Sequence, residues 1–169
     1  IRGFLKPTHE IFICEMGARH VGDIKEICDI VHPDHGIITS IGPQHLETFF
    51  NMDNIKSTKF ELADALQKDG MLFLNGDNSY INDHIKEKGG QYSNKIFYGA
   101  DYGTDSNTDN DFRSGESVQG YRAFDIRLSR LGTEFKVTAP DGETEHFQMR
   151  LIGGHNVANV VGSIAVAHK

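Results

Sequence analysis

The stretch Gly36-Ile-Ile-Thr-Ser-Ile-Gly-Pro-Gln-His-Leu-Glu47 decides how this chain is read. It opens as an apolar run of strand length, breaks at Gly42-Pro43, and leaves His45 on the loop just past the strand's carboxyl end. Similar runs flank it. Ile11-Phe-Ile-Cys14 reads as a buried strand, and Met71-Leu-Phe-Leu74 and Lys95 to Tyr98 as two more. Helical patterns stand between them. From Asp23 to Val31, the apolar positions Ile24, Ile27, Cys28 and Val31 share one helix face. Asp23 is placed to cap that helix, and Pro33 lies just beyond its end. Further helices are expected from Asn54 to Leu66 and from Ser79 to Lys88. Strand, helix, strand at this pace predicts an α/β fold, a mostly parallel sheet flanked by helices with right-handed crossovers.

After Gly99 the pattern changes. Residues 101–118, rich in Asp, Asn, Ser and Gly, are expected to form a polar loop, and residues 119–152 a small antiparallel β unit. Its strands are expected at Tyr121–Leu128, Glu134–Thr138 and Glu145–Leu151, with Leu131-Gly132 and Asp141-Gly142 as turn signals. Residues 153–169 return as a helix, from Asn156 to His168, to the α/β core of residues 1–100. The whole reads as one structural domain, cut at both ends: it starts at Ile1 and stops at Lys169 in an apolar helical run.

A chain of 169 residues can bury a sizeable core. Its formal charge of −7 argues against general affinity for nucleic acid or an anionic membrane, which need a basic patch, but not against nucleotides bound by local loops. No apolar run is long enough to span a bilayer. Cys14 and Cys28 have no C-x-x-C spacing and read as reduced core residues of a cytosolic protein.

In an open parallel sheet, ligands bind beyond the carboxyl ends of the strands. Three polar clusters fall there: Glu15-Met-Gly-Ala18, the loop holding His45, and Asn75-Gly-Asp-Asn78. A carboxylate and an imidazole on one rim suit a divalent cation or acid–base work. The plainer reading makes Glu15 a surface residue and His45 a helix cap. Lys59 falls one turn past Ile55 and one turn before Ala63, on a face that points partly inward. Pattern alone makes it a stem lying on apolar surface with its ammonium in water. Gly153-Gly-His-Asn-Val-Ala-Asn159 opens the last helix. Its glycines let a ligand approach the backbone, and the amides of Asn156 and Asn159 offer the donor and acceptor a purine edge requires. Asn156 serves equally well as a simple helix cap.

Together these segments resemble the Mur ligase family, most closely its UDP-N-acetylmuramoyl-tripeptide:D-alanyl-D-alanine ligase branch. The resemblance is carried by Glu15-Met-Gly-Ala18 with Gly22-Asp-Ile24, by Ile38-Thr-Ser-Ile-Gly-Pro-Gln-His-Leu-Glu47, and by Lys59-Phe-Glu-Leu62, Leu74-Asn-Gly-Asp77 and Gly154-His-Asn-Val-Ala-Asn159. Gln44 carries the branch assignment, since sister ligases and folylpolyglutamate synthetases more often place Asp before the histidine. The resemblance implies a P-loop-type domain lacking its first strand and P-loop, from a cytoplasmic bacterial enzyme of cell-wall (peptidoglycan) synthesis. It implies ATP and magnesium as cofactors, and as partners a UDP-MurNAc-peptide and D-alanyl-D-alanine, joined through an acyl phosphate. By position, the resemblance implies that Glu15 and His45 would hold Mg2+, that Lys59 matches the carbamylated lysine, and that Asn156 and Asn159 would lie near the adenine. Missing sheet neighbours would expose strand edges, so self-association of the piece is expected.

Other readings are a folylpolyglutamate-synthetase-like ligase, a non-catalytic nucleotide-binding or interaction module, and a metal-dependent hydrolase. Asp105, Asn107, Asp109, Asp111 and Glu116 also match positions 1, 3, 5, 7 and 12 of a calcium loop. Flanking helical patterns are missing there, and a solvated turn-rich loop explains those residues as well. The chain contains no G-x-x-x-x-G-K-[ST] phosphate loop. Taken alone it is expected to show no ligase activity and to bind ATP weakly at best; micromolar ATP binding in isothermal titration would overturn that.

Overall fold

The structure, a computed structural model, describes residues 6–101 and 120–169. In chain order the elements are α1 (Asp23–Val31), β1 (Gly36–Ile38), α2 (Leu46–Phe49), α3 (Met52–Asp64), β2 (Leu72–Asn75) and α4 (Ser79–Lys88). A 3-10 turn at Gly89–Gln91 leads into β3 (Lys95–Ala100), followed by β4 (Gly120–Ser129), β5 (Gly132–Thr138), β6 (Thr144–Met149) and α5 (Gly154–Ala167). They build one six-stranded sheet in the order β1-β2-β3-β4-β5-β6. The pairs β1–β2, β2–β3 and β3–β4 are parallel, and β4–β5 and β5–β6 antiparallel. The fold is thus α/β with a mostly parallel first part, as the alternating pattern implied, and the antiparallel strands extend the same sheet.

Alternation along the central strands explains the layers. Leu72, Leu74 and Phe97 point to one face, where they pack with Ile38, Ile55, Phe60, Ala63 and Ile81 of β1, α3 and α4. Phe73, Tyr98 and Ala100 point to the other, against Val157, Val161 and Ala165 of α5 and against Tyr121, Ala123, Phe135 and Val137. At the closest approach of α5, a Cβ on Gly162 would lie 2.9 Å from the Tyr98 ring and 3.2 Å from Ile37 Cδ1. Tyr98 is fully buried, and burial drives its phenol far above the usual range.

Several sequence expectations are corrected. Ile11–Cys14 is not a strand: Ile11 and Ile13 are 80% and 88% exposed, and Cys14 is only half-buried. An apolar run becomes a buried strand only with a ladder partner and a covering layer, and among the described residues it has neither. Asp23 does not cap α1. Gly22 occupies the cap, in a left-handed conformation with φ 95°, and the Asp23 carboxylate instead accepts the amides of Arg19 and His20 at 2.8 and 2.9 Å. The last helix starts at Gly154, two residues before Asn156, so Asn156 is not its cap either. The loop proposed for calcium lies outside the described residues. The bulge between Phe124 and Arg127 puts Asp125 at φ 52°, where its carboxylate meets Lys136 at 3.0 Å and Arg127 at 3.1 Å.

His84, like Thr58 on α3, is a buried polar residue of the α3–α4 core. It is 6% exposed, stacks on Phe60 with ring centroids 3.7 Å apart, and its Nε2 has no partner among the described residues. Burial, with Lys88 and Lys56 nearby, lowers its pKa, so it is held neutral. The unfolded chain therefore binds the extra proton, and stability falls as pH drops below the unfolded value of about 6.5 toward the lower folded value. His84→Phe is expected to flatten that part of the pH–stability curve; an unchanged slope would refute this account. Gly162→Ala is expected to destabilise by about 1–3 kcal/mol through overpacking, outweighing a gain in helix propensity of up to about 1 kcal/mol. The midpoint of thermal unfolding checks it.

Candidate functional site

The carboxyl ends of β1 and β2 are laced together by amide side chains. Asn75, the last residue of β2, donates Nδ2 to the Thr39 carbonyl at 2.8 Å. Asn78 donates Nδ2 to the Ile41 carbonyl at 2.9 Å, while its Oδ1 accepts the Ile81 amide at 3.1 Å and so caps α4. The segment Thr39–Ile41, which leads to Pro43-Gln44-His45, is thereby held from the neighbouring strand. Asp77 closes the next junction. Its carboxylate receives Arg122 Nη1 at 2.8 Å and the Ala100 amide at 2.6 Å, tying the loop after β2 to β3 and β4. Gly99 leaves room for this pair: a Cβ there would sit 2.6 Å from Arg122 Nη1 and 2.7 Å from Asp77 Oδ1.

His45 stands at the N-terminus of α2 in a left-handed conformation, φ 50° and ψ 40°, with no side-chain capping bond. For a residue other than glycine that backbone is uncommon. It turns an imidazole that is 47% exposed outward, 3.7 Å from the Glu47 carboxylate. Glu15 is exposed, in the extended segment before α1. Lys59 is half-buried on α3, between the buried Ile55 and Ala63. No hydrogen bond or ion pair joins the side chains of Glu15, His45 and Lys59 to one another among the described residues. Their three elements are nonetheless bonded together. Thr48 Oγ1 donates to the Arg19 carbonyl and the Thr48 amide to the His45 carbonyl, so the segment after Glu15 sits on the helix of His45. Glu61, two residues along α3 from Lys59, accepts the amides of Gly22 and Lys25 at 2.8 and 2.9 Å.

Asn156 and Asn159 share one face of the first turns of α5. Asn156 donates Nδ2 to the Ile152 carbonyl at 3.0 Å, which leaves its Oδ1 as the acceptor; Asn159 is exposed. Gly153, at φ 119°, turns the chain into this helix. The sequence reading missed the Arg122–Asp77 pair and the capping by Glu61. The first joins residues 45 apart in sequence and left no local signal. The second had one: a helix that starts on glycine brings no side-chain acceptor of its own.

A surface depression lined by Asp64, Lys68, Leu72, Gln91, Tyr92 and Asn94 lies at the amino ends of β2 and β3, the rim opposite these loops. Its chemistry is internally engaged, Tyr92 hydroxyl to Asp64 at 3.1 Å, and it carries none of the candidate residues.

The family model of the Mur ligase middle domain matches residues 1–167. The chain belongs to this family. Among curated relatives, it is 26% identical over 163 residues to the UDP-N-acetylmuramoyl-tripeptide–D-alanyl-D-alanine ligase of Haemophilus influenzae, covering 96% of this chain and 31% of that protein. It is 28% identical over 156 residues to the ligase of the same name from Bacillus subtilis, covering 92% and 29%. A crystal structure of MurF from Acinetobacter baumannii superposes with a TM-score of 0.74 at 22% identity, covering 97% of this chain and 32% of that one. MurF from Thermotoga maritima, solved with ADP, gives 0.69 at 21% identity, covering 90% and 31%. The chain thus spans about a third of the length of these relatives.

Within this Mur ligase domain the donor types can be set against a divalent cation. The Glu15 carboxylate and His45 imidazole are both exposed, and one hard oxygen donor with one nitrogen suits a weakly held ion that keeps most of its water. Among the described residues no three His, Cys, Asp or Glu side chains converge, so no complete protein cage forms. The Thr39 and Ile41 carbonyls each accept one amide N–H, from Asn75 and Asn78. Gly99→Ala is expected to push the Arg122–Asp77 pair apart and destabilise by about 1–2 kcal/mol. Urea unfolding tests this, and an unchanged midpoint would show that the pair adjusts freely.

Proposed function

We propose that this chain forms the carboxyl-end rim of the middle domain of an ATP-dependent ligase that joins D-alanyl-D-alanine to a UDP-N-acetylmuramoyl-tripeptide. One observation carries the reading: relatives bearing that name align with nearly all of the chain, 96% and 92% of it. The geometry supports it through the bonding that keeps the segment after Glu15, the loop of His45 and the helix of Lys59 together.

The reaction proposed is transfer of the terminal phosphoryl of ATP to the peptide carboxylate, with ADP leaving, then attack of the amine on the acyl carbon with loss of phosphate and a proton. A magnesium ion, when bound, neutralises the phosphate oxygens gathered at the rim. Glu15 supplies it a carboxylate and His45 an imidazole from a backbone turned outward for that purpose. Lys59 lies on a helix whose apolar neighbours Ile55 and Ala63 limit solvent at its stem. There its neutral amine would add to carbon dioxide with release of a proton to give a carbamate, an anion that would help hold a cation beside the reacting carboxylate. Asn156 and Asn159 present one amide edge each to the adenine. The antiparallel strands β4 to β6 belong to the same domain as the parallel part and brace α5.

The test is made in the full-length ligase. Lys59→Ala is expected to lower turnover by about 10²–10³-fold. A carbamate signal from 13C-bicarbonate, seen by NMR in this chain, is expected to vanish in Lys59→Arg. Wild-type turnover in Lys59→Ala would overturn the assignment. A second reading is favoured by one observation: the chain is 30% identical over 154 residues to the Chlamydia caviae UDP-N-acetylmuramoyl-L-alanyl-D-glutamate–2,6-diaminopimelate ligase. Which amine the enzyme consumes, D-alanyl-D-alanine or diaminopimelate, separates the two.

A further inference from the structure

Helix α1 begins on Gly22, whose φ of 95° suits glycine but whose missing side chain cannot cap the helix. The acceptor comes from another helix. Glu61 of α3 receives the Gly22 amide on Oε1 at 2.8 Å and the Lys25 amide on Oε2 at 2.9 Å, across 39 and 36 residues of sequence. A carboxylate at this end also meets the positive pole of the helix dipole. Residues 16–20 are tied to the same turn. Asp23 folds the turn back by accepting the amides of Arg19 and His20, and Thr48 binds the Arg19 carbonyl. Cys28 Sγ, one turn into α1, lies 3.8 Å from Met16 Sδ, next in sequence to Glu15.

We infer that Glu61 is a positioning residue: its carboxylate sets where the Glu15 segment stands relative to Lys59 and His45. The inference rests on the site reading above, because it concerns what those three residues do together. Glu61 shares a helix with Lys59 and holds the first turn of α1. That turn in turn sits on Thr48, three residues past His45. The bidentate cap is therefore the one bonded link from the Lys59 helix into the Glu15 segment among the described residues, and Glu15 itself has no side-chain bond to fix it.

The test uses the 169-residue chain, with residual dipolar couplings of the amides of residues 15–25 measured against those of α3. In the wild type both sets are expected to fit one orientation. In Glu61→Ala the couplings of residues 15–22 are expected to collapse toward averaged values. Glu61→Gln, which keeps one acceptor oxygen, is expected to fall between the two, and serves if the alanine variant does not fold. Gly162→Ala, destabilising on the far face of the sheet, is expected to leave these couplings unchanged; that separates positioning from general loss of stability. Manganese(II) alone is then titrated while the broadening of the Glu15 amide and the His45 ring is followed. Joint broadening in the wild type, needing about tenfold more metal in Glu61→Ala, is the expected result. Unchanged couplings in Glu61→Ala, or loosened couplings with unchanged metal response, would overturn the inference. Failure of the wild-type residues to broaden together would count against the site reading itself, and the couplings alone then decide whether Glu61 holds the turn.

Discussion

Strands β2 and β3 are apolar on both faces, and everything else in the molecule answers to that. Leu72, Leu74 and Phe97 need a cover on one side, Phe73 and Tyr98 on the other, and a two-layer arrangement would leave one set in water. Helices α3 and α4 close the first face and α5 the second. Because α5 (Gly154–Ala167) returns to cover strands that end by Ala100, the antiparallel strands between them must be accommodated at the sheet's far edge. The same demand fixes the depth at which α5 sits, with Gly162 against the Tyr98 ring.

Once the sheet is fixed, its carboxyl ends arrive at one rim, and the loops there have to be held without further secondary structure. Side-chain amides and one carboxylate do this. Asn75, Asn78 and Asp77 each satisfy backbone groups of a neighbouring segment, so they convert strand order into loop position. This explains why the Asn-Gly-Asp-Asn run is polar yet half-buried.

Much of this was legible in the sequence. The strands β2 to β6 and helices α1, α3 and α4 were each placed to within a few residues, because period-2 and period-3.6 patterns report burial directly. The motifs that placed the chain among the Mur ligases were legible too. Three things were not. Ile11–Cys14 has the composition of a strand, but composition does not say whether a ladder partner lies beside it. Asp23 looked like a cap, yet the cap is a glycine served by Glu61, and only the folded chain brings that carboxylate to the helix start. Asp77 gave no hint of Arg122, since a contact between distant segments writes no period into either. The individual roles of Glu15, His45, Lys59, Asn156 and Asn159 came from resemblance, and the structure adds where each stands.

Asn75 is followed by Gly76, the dipeptide in which an asparagine amide is most easily lost to attack by the next backbone nitrogen. In the folded chain that nitrogen is occupied, bonded to the Tyr98 carbonyl at 2.8 Å, and Asn75 is locked in β2 by its own bond to Thr39. A carboxylate at this position could no longer donate to Thr39, so the damage would unfasten the loop that carries His45. Chemical ageing of the rim is therefore throttled by how often the β2–β3 ladder opens, and the protein's shelf life is tied to its conformational stability.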